Sequence, residues 1–87
     1  MSDLTRIQEE TLFRMVRCGL TIIDNGRVEF SDGTLPPRGV FGRLYRNGWM
    51  EKIESRQTSE NSFEATYRPT KKAYEYFGES DGNNNRP

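Results

Sequence analysis

The sequence predicts one small α+β domain in which helices and β-hairpins alternate, in the order helix, hairpin, helix, hairpin, short helix. Three observations predict this order. Apolar residues recur at helical spacing in residues 4–18. An Asn-Gly pair separates two short runs of strand character, and two further alternating runs follow a second helical segment. The chain has 87 residues, enough for one modest hydrophobic core.

Residues 4–18 are predicted as the first helix. Thr5 and Gln8 fit a capping box, with Ser2 as an alternative cap, and Gly19 stands where a left-handed residue ends a helix. Cys18 closes the apolar face and is interpreted as a small buried residue, since no base is available to activate it as a nucleophile. The predicted apolar face consists of Leu4, Ile7, Thr11, Leu12, Met15 and Val16.

The first hairpin is predicted from residues 20–23 and 27–30, joined by Asp24-Asn25-Gly26 and followed by a turn at 31–33. The second helix is predicted over residues 37–47, with Pro37 at its first position and Gly48 after its end. Two interior glycines should each cost this helix about 1 kcal/mol relative to alanine. Its inward residues are predicted to be Val40, Phe41, Leu44 and Tyr45.

The second hairpin is predicted from strands at residues 49–55 and 63–68, joined by a polar loop at 56–62. Trp49 is expected to share a strand face with Glu51 and Ile53, and to be packed in the core rather than free for stacking. A short helix follows Thr70, with Ala73, Tyr74 and Phe77 on its apolar side. The domain is expected to span residues 1–78, and the polar residues 79–87 to form a disordered tail.

Composition narrows the function classes. Thirteen basic and thirteen acidic side chains cancel, so any basic surface must be local. The chain has no histidine and one cysteine, which excludes an intrachain disulfide and removes the commonest metal ligand and general base. We expect no enzyme activity, no cofactor and no bound metal. No apolar run is long enough for a membrane span, so a cytoplasmic protein is expected.

Two stretches carry a resemblance to a known family. Residues 43–53, RLYRNGWMEKI, resemble the passage from recognition helix into wing in winged-helix DNA-binding domains. Residues 67–77, YRPTKKAYEYF, resemble the passage from the wing into the closing helix. Residues 20–35 depart from the family, because a hairpin and a proline-rich loop stand where its second helix belongs, and Ala73 replaces a frequent glycine. The order of elements is also loosely similar to small bacterial toxins that inhibit topoisomerases.

The predicted second helix places three arginines and two glycines on one face, which would suit phosphate oxygens and guanine edges approaching closely. Residues 38–56 hold five basic and two acidic side chains, and the 56–62 loop, taken as a wing tip, is rich in hydrogen-bond donors. A solvated basic face with glycines packed inside the fold, and a mobile solvated loop, are the alternatives. The candidate nucleic-acid-binding residues are Arg38, Gly39, Gly42, Arg43, Arg46, Lys52, Arg56, Gln57 and Thr58.

Two functions from different classes fit these features. The first is a sequence-specific or structure-specific DNA-binding transcription regulator of winged-helix type, acting through the 37–47 helix and the 56–62 wing. It is expected to be homodimeric on a symmetric operator because one such module reads few base pairs. The second is a protein-interaction module on the same fold, such as a phage or mobile-element inhibitor of a host nucleic-acid-processing complex.

Overall fold

The computed structural model describes residues 4–78 and confirms the α+β class with its alternating order. The elements are α1 (Arg6–Cys18), β1 (Ile22–Asp24), β2 (Val28–Phe30), α2 (Val40–Arg46), β3 (Met50–Ser59), β4 (Ser62–Pro69) and α3 (Lys71–Tyr76). This arrangement is compatible with a winged-helix-like layout. The expected tail at residues 79–87 lies outside the described residues.

The four strands form one antiparallel sheet in the order β2-β1-β4-β3. The short strand β1 therefore joins the two hairpins, with Ile22 opposite Phe30 on one side and opposite Tyr67 on the other. All three of these side chains are buried. The remaining core comes from the helices and from the start of β3, and its members are Leu12, Met15, Val16, Val40, Leu44, Trp49, Met50 and Ala73.

Helix α1 ends at Cys18 as predicted and begins at Arg6, two residues after the predicted start and directly after the predicted cap Thr5. The backbone N–H of Gln8 donates to Thr5 Oγ1 at 3.2 Å, and the N–H of Thr5 donates to Gln8 Oε1 at 3.1 Å. Gly19 follows the helix at φ 69°, a left-handed conformation that glycine adopts at little cost. Two expectations were wrong: Ile7 is 54% exposed and Cys18 is exposed. Both lie at the edge of the apolar stripe, where the sheet and α2 no longer cover the helix.

Helix α2 is shorter than the predicted span of 37–47. It begins at Val40, because Gly39 precedes it with φ 80° and that left-handed backbone cannot continue a helix. Arg38 and Gly39 therefore belong to the turn before α2. Their predicted place on the exposed face of this helix is wrong. Val40 and Leu44 are buried as expected, whereas Tyr45 is 41% exposed and lies at the rim of the core.

The second hairpin is longer than predicted, and the 56–62 loop is the main error of the sequence interpretation. Residues 56–59 continue β3 and Ser62 begins β4, so the connection is Glu60-Asn61. The polar run 56–62 predicted a loop, but this end of the hairpin is exposed on both faces. Its backbone can therefore pair as strands without an alternating apolar pattern. Trp49 precedes β3, and a register irregularity at Ile53 ends the expected face shared with Glu51.

Helix α3 is anchored to the end of α2. Thr70 occupies its N-cap position, but its hydroxyl donates to the carbonyl of Gly48 at 2.8 Å instead of capping the helix. Lys72 donates to the Asn47 carbonyl at 3.0 Å and lies 4.2 Å above the Trp49 ring. Trp49 is 5% exposed, which confirms it as a core residue. Among residues 4–78, no helix is long and apolar enough to cross a membrane.

Candidate nucleic-acid interface

The exposed side of α2 carries Gly42, Arg43 and Arg46, which we call the arginine ridge. Val40 and Leu44 turn toward the core, so at 100° per residue Gly42 and Arg46 lie almost directly opposite it and Arg43 lies beside them. Both arginines are exposed. Within residues 4–78, no carboxylate lies within 4.0 Å of either guanidinium. The ridge is therefore a pair of uncompensated positive charges beside a position without a side chain.

Gly42 has no structural reason to be glycine. It lies inside α2 with ordinary helical backbone, and a Cβ built on it would meet no heavy atom within 4 Å. The alternative in which this glycine packs against another part of the fold is therefore wrong. Gly39 differs, because its φ of 80° explains the glycine through the backbone alone.

Arg38 stays close to the ridge although it is not on α2. A groove of about 360 Å³ runs between the starts of α1 and α2, and both Arg38 and Arg43 line it. A second groove of about 510 Å³ lies between β2, the proline-rich loop and α2, and is lined by Arg38 and Gly42 among others. Arg38 is exposed and, within the described chain, has no carboxylate at ion-pairing distance. It extends the positive surface of the ridge toward both grooves.

The β3–β4 hairpin has two chemically different faces, because side chains of directly paired residues lie on the same side of a sheet. We call the face that carries Tyr67 the inner face, since α2 packs on it through the Tyr45 and Phe41 rings. Met50 and Pro69 also lie on this face, at its buried end. Farther along, it pairs Lys52 with Tyr67, Ser55 with Ala65 and Gln57 with Phe63.

The opposite, outer face of the hairpin holds the acidic residues of its two strands. Glu51 faces Arg68, with 3.3 Å between Oε2 and Nε, and Glu64 faces Arg56, with 2.9 Å between Oε1 and a terminal guanidinium nitrogen. Glu54, opposite Thr66, lies on the same face. Arg56, a candidate binding residue, is thus engaged by a carboxylate on the side away from α2.

The remaining hairpin candidates lie on or near the inner face. Lys52 is exposed and, among residues 4–78, has no carboxylate at ion-pairing distance. Gln57 donates through Nε2 to the carbonyl of Glu60 at 3.0 Å, which fixes its amide beside the turn. Thr58 is exposed at a second register irregularity. The structure therefore brings Lys52 and Gln57 to the α2 side and separates Arg56 from them.

The sequence did not predict the exposed aromatic rings on this side. Phe63 is 60% exposed, and Tyr45, which was expected to face inward, is 41% exposed. Tyr45 meets Tyr67 edge-on, with ring centroids 5.1 Å apart. Burial raises the pKa of Tyr67 above its ordinary value, and the neighbouring Tyr45 and Asp24 add to the effect. The sequence signal that could have predicted the exposure of Phe63 was its place directly after a polar turn.

A separate apolar surface lies between α1 and the end of α3. A cleft of about 560 Å³ is lined by Phe13, Phe77, Arg14 and the acidic pair Glu9 and Glu10. Phe13 is 44% exposed, and its ring meets Phe77 edge-on at 5.4 Å between centroids. None of the candidate nucleic-acid-binding residues lines this cleft.

Comparison of the chain with protein-family models, with curated proteins and with solved structures found no match.

Proposed function

We propose that this protein binds nucleic acid through the arginine ridge and the inner face of the β3–β4 hairpin, as a DNA-binding regulator of transcription in the cytoplasm. The observation that carries the proposal is Gly42, a helix-interior glycine with open space around it and uncompensated arginines beside it. A glycine there weakens the helix, so its use is best explained by a ligand that approaches the α2 backbone closely.

The chemistry of the surrounding residues supports a phosphate-bearing ligand. Guanidinium groups donate paired hydrogen bonds to phosphate oxygens, and Arg38, Arg43 and Arg46 all present exposed guanidinium groups. Lys52 adds a point charge from the hairpin. Because only a few charges are involved and the chain is neutral overall, affinity should be modest and should fall as salt rises, with a slope of about 0.9 per phosphate contact.

The proposal is tested by replacing Arg43 and Arg46 together with alanine. Binding to DNA, titrated by fluorescence anisotropy at two salt concentrations, should weaken for every sequence. The slope of log affinity against log salt should become shallower by about 1 for each phosphate contact removed. A matched control replaces Arg6 and Arg68, which already pair with Glu10 and Glu51, and changes the net charge equally. Wild-type protein that fails to bind DNA even at low salt would contradict the proposal.

A second candidate function is a protein-interaction module, which would include an inhibitor of a nucleic-acid-processing complex. The apolar cleft at Phe13 and Phe77 favours it, because exposed aromatic rings beside a groove are typical of protein contacts. Recovery of one stoichiometric protein partner, with the Arg43 and Arg46 double variant unaffected, would select this function over DNA binding.

A further inference from the structure

We propose that the inner face of the β3–β4 hairpin stacks unpaired bases, so that the preferred ligand is nucleic acid with single-stranded character rather than a continuous duplex. The inference rests on the proposed function and names the form of nucleic acid that the same site takes. The observation that supports it is a pair of exposed rings, Tyr45 and Phe63, on a surface that also presents cations.

Both rings have solvent-exposed surface on which a base can stack. Phe63 is 60% exposed and lies on the inner face opposite Gln57, next to the hairpin turn. Tyr45 is 41% exposed, meets Tyr67 edge-on, and lies parallel to the Phe41 ring at 6.2 Å between centroids, so it offers the exposed remainder of its ring. Phe63 lies four residues from Tyr67 along β4, which separates the two ends of the surface by about 13 Å. They can therefore engage different bases along one strand.

The charges around the rings fit a polyanion. On the inner face of the hairpin the exposed polar side chains are Lys52, Ser55 and Gln57, whereas all three of the hairpin strands' glutamates lie on the outer face. Arg46 of the ridge stands beside Tyr45 on α2. Two acidic residues border this surface: Asp24 of β1, opposite Ala65, whose carboxylate accepts from the Gly26 N–H, and Glu60 in the hairpin turn, three residues from Phe63. Exposed rings beside cations form the usual surface for stacking bases along a phosphate backbone.

The same geometry is poorly suited to reading a long duplex groove. Helix α2 has seven residues, a length of about 10 Å. The helix that normally precedes a recognition helix and contacts the duplex backbone is replaced by the β1–β2 hairpin. The hairpin β3–β4, with strands of ten and eight residues, is the largest projecting element. The fold therefore offers the β3–β4 hairpin, on which bases can stack, and lacks a pair of helices that would read a duplex groove.

The decisive experiment compares a mixed-sequence single-stranded oligonucleotide with the blunt duplex of the same length, by anisotropy at constant salt. The single strand should bind more tightly. Phe63→Leu, which keeps an apolar side chain but removes the ring face, should weaken single-strand binding about fivefold or more and should weaken duplex binding much less. Phe63→Trp should retain binding, and its added fluorescence should be quenched by bound bases, over a constant contribution from the buried Trp49. Thermal unfolding of each variant checks that the fold is intact.

The outcomes separate the two proposals. If the duplex binds as tightly as the single strand and Phe63→Leu binds like wild type, the stacking inference is overturned while nucleic-acid binding stands. If no nucleic acid binds, both fall. If Phe63→Leu weakens binding to a protein partner instead, the inner face is a protein contact and the inference is likewise overturned.

Discussion

Gly42 is the residue at which the fold and the proposed function make opposite demands. Inside α2 it costs helix stability because glycine loses more backbone entropy than alanine on folding. Its surroundings leave room for a methyl group, with nothing within 4 Å of the added carbon. A residue whose replacement would increase the stability of the fold is a good indicator of a position that ligand binding requires.

Gly42→Ala should therefore stabilise the protein and weaken binding. We expect an increase of up to about 1 kcal/mol in the free energy of unfolding, measured by denaturant titration. Affinity for nucleic acid, measured in parallel, should fall severalfold because the added methyl group holds the ligand away from α2. Gly39→Ala is the matched control: it should destabilise the fold, since a side chain is strained at φ 80°. A Gly42→Ala protein that binds like wild type would remove the main support for the interface.

Tyr67 gives the stability a predicted dependence on alkaline pH. Burial raises the pKa of its hydroxyl above 10.0, so the folded state holds the proton at pH values where the unfolded state releases it. The contribution is fully present below pH 10.0 and is lost as pH rises toward the raised folded-state pKa. Tyr67→Phe should flatten the fall in melting temperature above pH 10.0. An equally steep fall in both proteins would assign the effect to other groups.

At the scale of elements, the pairing register of the β3–β4 hairpin places its acidic side chains and its unpaired lysine on opposite faces. Each glutamate of its strands lies on the outer face, two of them paired with Arg56 and Arg68, while Lys52 lies on the inner face. A one-residue bulge at Ile53 makes this sorting possible, because it changes which later residues of β3 point inward. A simple alternating count through β3 gives the opposite faces for residues beyond the bulge.

Lys52→Ala and Arg56→Ala should therefore behave differently, although each removes one positive charge from the same strand. Lys52→Ala should weaken nucleic-acid binding and make its salt dependence shallower by about 1. Arg56→Ala should leave affinity nearly unchanged and lower stability by at most about 1 kcal/mol, because the Arg56 side chain stays 64% exposed in its ion pair with Glu64. Anisotropy and thermal unfolding of both variants provide the comparison. Equal losses of affinity would show that the two faces do not differ in function.

At the scale of the whole molecule, the interface proposed for nucleic acid and the α1–α3 cleft are built from separate residues. We propose that the homodimer expected from the sequence forms through this cleft. Glu9 and Glu10 precede Phe13 by one turn of α1, and Arg14 and Arg17 follow it. A two-fold axis at Phe13 with antiparallel helices brings Glu9 of one copy toward Arg17 of the other, whereas Glu10 and Arg14 pair with Arg6 and Asp32 within each chain.

A homodimer through this cleft predicts the effect of one substitution. Phe13→Gln should convert the protein to a monomer, as measured by sedimentation equilibrium, because it removes the central apolar contact. Ile7→Gln is the control, since Ile7 is 54% exposed on the same helix but does not line the cleft. Wild-type protein that remains monomeric across the accessible concentrations would contradict the dimer, without bearing on the arginine ridge.

The sequence by itself determined the features that depend on near neighbours. The capping box of Thr5 and Gln8, the left-handed Gly19 and the turn around Gly26 follow from interactions within a few residues, so local chemistry was enough to predict them. The same holds for the order of the elements and for the burial of Leu12, Met15 and Leu44. It also identified Arg43 and Arg46 as a pair on one helix face.

Tertiary structure alone decided the rest. The length of the hairpin, the bulge at Ile53 and the exposure of Phe63 depend on pairing with a distant segment, and no local pattern encodes that register. The start of α2 depended on the backbone angle of Gly39, which residue type permits but does not fix. Arg56 became part of an ion pair, and Lys52 remained without one, because cross-strand neighbours rather than sequence neighbours determine which charges meet.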